Sequence, residues 1–393
     1  MIDDAETAIV GAGVMGLAIA YNLAARGGKS IVVVDGHYMA WGASGRNGGG
    51  VRQQWATEMN VRLMQESMDI CSHFAKEMGI NIWMRQGGYL FLARGAAAER
   101  RLQKSVALQN DCGVPTRMIT PAEAQGLVPE IDAGPFRAAC FNPTDGIVFP
   151  WPFLWGYARA AAARGVAIHT STPITAIARR GRGGFSLTTP GGTFTAERIV
   201  CAAGAWSPEV ARLVGGALPN RPQRHEILST EPLKPFLKPL VTVSETGLYV
   251  SQSLRGELVG GITVGDDDQA GGDGGGEIKL GSRLAFTTAM ARALVELMPR
   301  LARVKVVRQW AGPYDLSPDG DPIVGELPGV PGFYVVCGFR GHGFMMAPVV
   351  ARHYAAFLAG DTPHPLFAAW RADRFSGGRT PASGGGGENM FIG

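Results

Sequence analysis

"TAIVGAGVMGLAIAYNLAARGGKSIVVVD", residues 7–35, decides the fold. An apolar strand, a glycine turn, an alanine-rich helix and a second apolar strand succeed one another, which is a β-α-β unit. Gly11, Gly13 and Gly16 spell G-x-G-x-x-G at the turn, and Asp35 ends the second strand at the spacing of a ribose-binding carboxylate. Gly11 permits the tight turn, Gly13 lets backbone approach a pyrophosphate, and Gly16 lets helix and strand pack closely. The helix start at Val14 and Met15 offers N–H groups and a partial positive charge to phosphates. The unit reads as Rossmann-like, and Asp35 favours a free ribose hydroxyl over a phosphorylated one.

Beyond it comes "WGASGRNGGGVRQQW", residues 41–55, with glycine at 42, 45, 48, 49 and 50. So much glycine implies backbone packed against something flat or anionic. The chain then leaves the nucleotide fold through a long helix instead of repeating short βα units, a pattern that suits FAD better than a nicotinamide dinucleotide. The helix carries Met64, Met68, Cys71, Ala75 and Met78 at helical spacing. "GGYLFLA" reads as a strand, and "TPAEAQGL" gives Thr120, Pro121 and Glu123 the order of a capped helix start. A helix from about 152 feeds the strand "VAIHTS", a hairpin turns at Gly191 and Gly192, and "RIVCAAGAWS" is a buried strand ending in a glycine turn. Residues 221–264 are β-rich, a helix covers about 283–298, and "VKVVRQW" is a strand. Near the C-terminus "CGFRGHGFMMAP", residues 337–348, places a second glycine loop between a strand and the last helix.

The chain has 393 residues, 46% of them hydrophobic and 18% charged, a length that calls for two domains. No apolar run is long enough to span a bilayer. The net charge of +4 comes from scattered basic residues rather than a phosphate-tracking stripe, so nucleic acid is not expected as a partner. Five cysteines lie far apart with no C-x-x-C pair, which suggests neither a disulfide framework nor a zinc site; with little room for a signal peptide before the first strand, the cytoplasm is the expected compartment. Residues 266–277 place acids at the first, third and twelfth positions of a calcium-like loop, but Ala270 breaks the ligand pattern, so no metal is expected. The tail, 376–393, is glycine-rich and low in complexity.

With these residues in hand, the chain resembles the D-amino acid oxidase-like FAD-dependent oxidoreductases. The likeness rests on the first β-α-β unit, "GASGRNGGGVRQQ", "RIVCAAGAWS", "SPDGDPIVG" and "GFRGHGFMMAP", in that order; "GASGRNGGGVR" and "MRQGGYLFLA" are most similar to the β subunits of sarcosine oxidase and of proline or opine dehydrogenases. The resemblance implies an FAD-binding α/β domain of glutathione reductase type (1–85, 146–218, 302–375) interleaved with an antiparallel-sheet substrate domain (86–145, 219–301). It also implies a cofactor site made of Gly11, Gly13, Val14, Met15, Gly16, Asp35, Gly36, Ala43, Ser44, Arg46, Asn47, Gly48, Gly49, Ile174, Ala203, Gly204, Trp206, Gly312, Gly338, Gly341, His342, Gly343, Phe344 and Met345. The C-terminal loop would lie against the isoalloxazine while the N-terminal loop holds the pyrophosphate.

Three departures from the family shape the expectation. In the family, covalent attachment of the flavin uses a cysteine that would fall near Ala311 and Gly312, and a second, covalently held flavin, FMN, uses a histidine around "GIVFPWPFL". Neither residue is present, so the FAD is expected to be non-covalent and no second covalent flavin is expected. The lysine with which sarcosine oxidases aid oxygen reduction is replaced by Met345, which favours a dehydrogenase passing electrons to a partner subunit or quinone. The arginine of "GLRP" is replaced by "GPYD", with Tyr314.

Arg52, Tyr249, Arg340 and His342 are the candidates for chemistry. Arg52 either pairs a carboxylate near the flavin or anchors the long helix. Tyr249 is either substrate-facing or a core tyrosine, and Arg340 either clamps a carboxylate or faces a partner subunit. His342 either bonds cofactor or substrate or is structural, and His225 begins a strand. Arg52, Tyr249 and Arg340 specify a carboxylate better than the group on nitrogen; the resemblance implies oxidation of the C–N bond of a small secondary or N-methyl amino acid to an imine. The alternatives are a non-catalytic electron-relay subunit and an oxygen-using oxidase.

Overall fold

The computed structural model describes residues 2–181, 183–264 and 279–375; the acidic segment 266–277 and the tail 376–393 lie outside the described residues. The first strand, Ala5–Val10, pairs in parallel with Ile31–Val34 on one side and Gly192–Cys201 on the other. The helix between the first two, Val14–Ala25, is apolar almost all round and accordingly buried. It packs against helices Pro150–Ala162 and Gly343–Leu358. The main path of this sheet of eight described strands runs Ile323–Glu326, Phe333–Cys337, Gly192–Cys201, Ala5–Val10, Ile31–Val34, Ala167–His169, with a hairpin of Ala176–Arg179 and Phe185–Thr189 branching from it. Chain order reverses on either side of the first strand, so a crevice opens at its carboxyl end, where ligands of open α/β sheets bind.

The second sheet has nine described strands, centred on Arg221–Pro232, Glu257–Gly261, Leu248–Gln252, Leu240–Val243 and Tyr89–Ala93. It is antiparallel except where Leu240–Val243 runs parallel to Tyr89–Ala93. Side chains alternate across a strand, and the core shows it. Tyr89, Phe91 and Ala93 join one apolar cluster, whereas Leu90 and Leu92 join another. Helix Ala96–Asp111 supplies Ala98, Leu102 and Val106 to the first cluster, and helix Leu284–Leu297 supplies Phe286, Met290 and Leu294 to the second. The sequence does not announce helix Ala96–Asp111, whose N-cap is Gly95 with no side-chain cap.

The long helix runs over Glu58–Met78, with the Thr57 hydroxyl accepting from the Asn60 amide at 3.3 Å, and Pro121–Leu127 carries the full reciprocal cap of Thr120 and Glu123. Segment 302–375 does not belong to the first sheet alone. Its strands Val306–Leu316 and Phe339–Arg340 hydrogen-bond within the second sheet, Val306–Leu316 along almost the whole of Arg221–Pro232. The C-terminal loop thus stands where the two sheets meet. No helix among the described residues is long and apolar enough to cross a membrane.

Candidate active site

A single continuous cavity runs from the carboxyl ends of the first sheet's strands to the face of the second sheet. At the first end it is lined by Val10 and Gly11, Val34 and Asp35, Ala202 and Ala203, and Val336 and Cys337, which follow or end four parallel strands. Gly11 adopts φ 115°, and a Cβ there would stand 2.5 Å from the Ala202 carbonyl oxygen; a Cβ on Gly16 would stand 2.0 Å from the carbonyl oxygen of Gly11. Only glycine fits either position. Gly13 is different, because its Cβ would meet nothing closer than the Ser44 hydroxyl at 3.1 Å. There the main chain faces the cavity.

Asp35 accepts hydrogen bonds from the Ala12 amide (2.7 Å) and the His37 amide (2.8 Å), one on each oxygen. Each oxygen keeps a lone pair for a further donor, as a ribose-binding carboxylate requires. Burial raises its pKa, while the two amides oppose the shift. At the helix start the Val14 amide donates to Ser44 Oγ at 3.0 Å, so one of the orphan N–H groups is taken by a hydroxyl. That hydroxyl retains its own proton to donate onward. Asn47 fixes the bend, donating to the Ser44 carbonyl at 2.6 Å and accepting from the Gly49 amide at 2.7 Å. Arg46 commits its guanidinium to the carbonyls of Trp41 (2.7 Å) and Ala311 (3.2 Å), tying the bend to the second sheet. His37 stacks on Trp41 at 3.9 Å, and Trp41 lies 5.2 Å from Trp206.

At the other end the lining passes to Tyr89, His225, Ile227, Tyr249, Tyr314 and Asp315 from the second sheet, and to Arg340, Gly341, Gly343, Phe344 and Met345 from the C-terminal loop and helix. Gly36, Ala43, Ser44, Arg46, Asn47, Gly48, Gly49, Ile174, Gly204, Trp206 and Gly312 also line the cavity. Arg340 is half-buried at φ 52°, and its guanidinium makes no hydrogen bond or ion pair with any described residue. Burial lowers its pKa, with Tyr314 and Asp321 opposing. Asp315 accepts from the Gly338 amide and from Asn220 Nδ2, both at 2.5 Å, yet burial still pushes its pKa up to about 6.

Four of the residues picked from the sequence stand off the cavity lining. Gly16 sits under it as the packing contact between helix and strand. Gly338 turns the chain at φ 78°, and its amide serves Asp315. Arg52 is fully buried, 4.5 Å over the Trp55 ring, with Nη2 3.2 Å from His342 Nε2. A guanidinium can only donate, so His342 Nε2 accepts and the imidazole is neutral with its proton on Nδ1. His342 is itself buried edge-on to Trp55 at 4.9 Å and precedes the C-terminal helix. Arg52 therefore braces the start of that helix from behind. Conversely, Tyr89 and His225 were not read as site residues. His225 and Ile227 lie two apart on one strand face, a signal visible in sequence only once the strand's partners are known.

Among the described residues no cluster of three or more His, Cys, Asp or Glu could hold a metal. Fold and cavity together define a dinucleotide-binding α/β protein whose second sheet closes the site. The chain belongs to the DAO family of FAD dependent oxidoreductases, whose pattern it matches over residues 6–357. It is 30% identical over 378 residues to sarcosine oxidase subunit beta of Rhizobium meliloti (strain 1021), spanning 95% of this chain and 89% of that one. It is 28% identical over 351 residues to glycine oxidase of Geobacillus kaustophilus (strain HTA426), spanning 88% of this chain and 90% of that one. The crystal structure of L-proline dehydrogenase from P. horikoshii superposes with a TM-score of 0.88 at 29% identity, covering 95% of this chain and 98% of that one. FAD is the cofactor, and the residues present fit it: bare main chain at Gly13, a hydroxyl at the helix start and a carboxylate with free lone pairs at Asp35.

Proposed function

We propose that the protein oxidises the C–N bond of a small secondary or N-methylated amino acid, such as sarcosine, proline or an opine, to an imine that water then hydrolyses. The observation that carries this reading is Arg340, a guanidinium on the cavity wall with no ion-pair partner among the described residues, beside an uncharged aromatic surface. A half-buried cation that burial disfavours, and that Asp321 offsets without an ion pair, is costly, and a substrate carboxylate in bidentate contact would relieve that cost. The names of the relatives, sarcosine oxidase subunit beta, glycine oxidase and L-proline dehydrogenase, support a small amino acid as substrate, and the first and last of them name secondary amines.

FAD, when bound, supplies a two-electron acceptor for the hydride leaving the substrate carbon. The chain's own residues do the rest. Gly11, Gly13, Ser44 and Asp35 would hold the nucleotide without a covalent bond. Amides at the start of helix Gly343–Leu358 would face developing negative charge. Arg340 would hold the carboxylate, and the substrate amine would give its N–H proton to water. Met345 lines the cavity with an uncharged thioether, which supports transfer of electrons to a partner subunit or quinone in preference to oxygen.

Turnover with an artificial electron acceptor tests the substrate assignment. Sarcosine and proline are expected to be used at least about 100-fold better, in kcat/KM, than dimethylamine and pyrrolidine, which lack the carboxylate. Equal turnover of acids and simple amines would remove the role given to Arg340.

A further inference from the structure

Three rings stand in a row along the cavity face of the second sheet. His225 lies 4.4 Å from Tyr314 at an interplanar angle of 11°, and 5.8 Å from Tyr249 at 15°, with its Nε2 3.3 Å from the Tyr249 hydroxyl. All three line the cavity. The row is made possible by glycine in the neighbouring main chain. His225 pairs with Gly312, two residues from Tyr314, so the rings are diagonal neighbours across the strand pair. Strand Glu257–Gly261 runs between His225 and Tyr249, and a Cβ at Gly261 would come within 2.9 Å of both His225 Nε2 and the Tyr249 hydroxyl. At the other end a Cβ at Gly341 would stand 2.5 Å from Tyr314 Cζ. The row therefore reaches from the loop of Arg340 to Gly48, whose Cβ would sit 3.5 Å from Tyr249 Cε2.

We propose that His225 is a positioning residue: an uncharged imidazole that keeps Tyr249 and Tyr314 parallel, anchors the Tyr249 hydroxyl, and so makes a flat wall for the apolar part of a carboxylate substrate gripped by Arg340. The proposal deepens the amino-acid reading above and rests on it. Burial alone accounts for the neutral ring, pushing its pKa down to about 4. A neutral imidazole and a phenol share one proton, whichever of the two donates. A phenylalanine at 225 would preserve the stacking surface and remove that bond.

The test is a double-mutant cycle of His225→Phe and Tyr249→Phe in FAD-loaded protein, with two readouts. One is the affinity for benzoate, followed through the flavin's visible band; benzoate has a carboxylate and a flat ring but no amine to oxidise. The other is the rate of anaerobic flavin reduction by sarcosine or proline. His225→Phe is expected to weaken benzoate binding and raise the substrate concentration for half-maximal reduction about fivefold to tenfold, but less than about twofold when Tyr249→Phe is already present. Equal losses in both backgrounds, or none in either, would overturn the proposal, as would wild-type protein that does not bind benzoate. Should His225→Phe not fold, His225→Leu, which likewise cannot hydrogen-bond, passes through the same cycle under the same criteria. Benzoate binding with the expected coupling, but no reduction by any amine, would refute the oxidation reading and leave the wall standing.

Discussion

At Arg340 the backbone φ of 52° puts a long side chain in a region that favours glycine, at a cost of about 1 kcal/mol. A glycine there would relieve the backbone and lose the cation. Arg340→Gly is accordingly expected to leave the melting temperature unchanged or raise it while increasing KM for the amino acid about 10- to 100-fold, read from thermal melts and steady-state kinetics on one preparation. A large drop in melting temperature would make Arg340 structural. Asp315 offers a titration of known sign. Its carboxyl is held up to about 6, against an ordinary value of 3.8, so between those pH values the folded state binds the proton more than the unfolded state does. Its contribution to stability falls as pH rises through that window and is flat beyond it. Asp315→Asn cannot titrate, so relative to wild type it should gain on the order of 2 kcal/mol in denaturant stability on going from pH 4 to pH 7. An unchanged difference at the two pH values would contradict the assigned burial. The three rings around His225 were hidden from the sequence for a related reason. Their proximity depends on the register of strands far apart in the chain, and no local pattern encodes a register.

At the scale of elements, the glycine turn separates two jobs that one motif performs. Gly16 is pinned against the Gly11 carbonyl oxygen at 2.0 Å from any Cβ, whereas Gly13 would meet only a hydroxyl. Gly16→Ala should therefore destabilise the fold by about 1–3 kcal/mol or prevent it from forming. Gly13→Ala should fold with an unchanged far-ultraviolet spectrum and bind FAD at least about tenfold more weakly, because the added methyl stands where a phosphate must approach. Equal effects on folding would erase the distinction. This β-α-β unit was legible because its hydrogen bonds and packing contacts are local, and strand, turn and helix each carry their own signal. The direction of Arg52 and His342 was not. Both stand beside the cavity in sequence terms, but Trp55, Phe91 and the buried Asp145 surround Arg52 and draw it into the interior. Helix Ala96–Asp111 had good helix formers and apolar residues at compatible spacing, and its missing signal was a side-chain cap at Gly95.

For the whole molecule, the consequence of the topology is that the cavity is lined by both halves of the chain. The first sheet supplies the glycine turn and Asp35, the second sheet the aromatic wall, and the segment after residue 302 strands to both. A ligand touching all of these stabilises the folded state as one unit, by about 2.7 kcal/mol at a hundredfold excess over its dissociation constant. FAD should thus raise the melting temperature of the apoprotein by several degrees in a single cooperative transition, followed by calorimetry. Two transitions, only one of them moved by FAD, would show that the cofactor engages one sheet alone. The resemblance implied that the chain's two ends would meet on one cofactor, and residues from both ends line one cavity. It did not imply that strand Val306–Leu316 belongs to the second sheet, because an apolar strand does not declare its partner.

The most direct measurement of the central claim is the visible spectrum of the FAD-loaded protein, mixed anaerobically with sarcosine and, separately, with proline. The account predicts that the flavin band bleaches with at least one of them and recovers its colour faster with an artificial acceptor than in air. A flavin that stays oxidised in the presence of every secondary and N-methylated amino acid offered would contradict it.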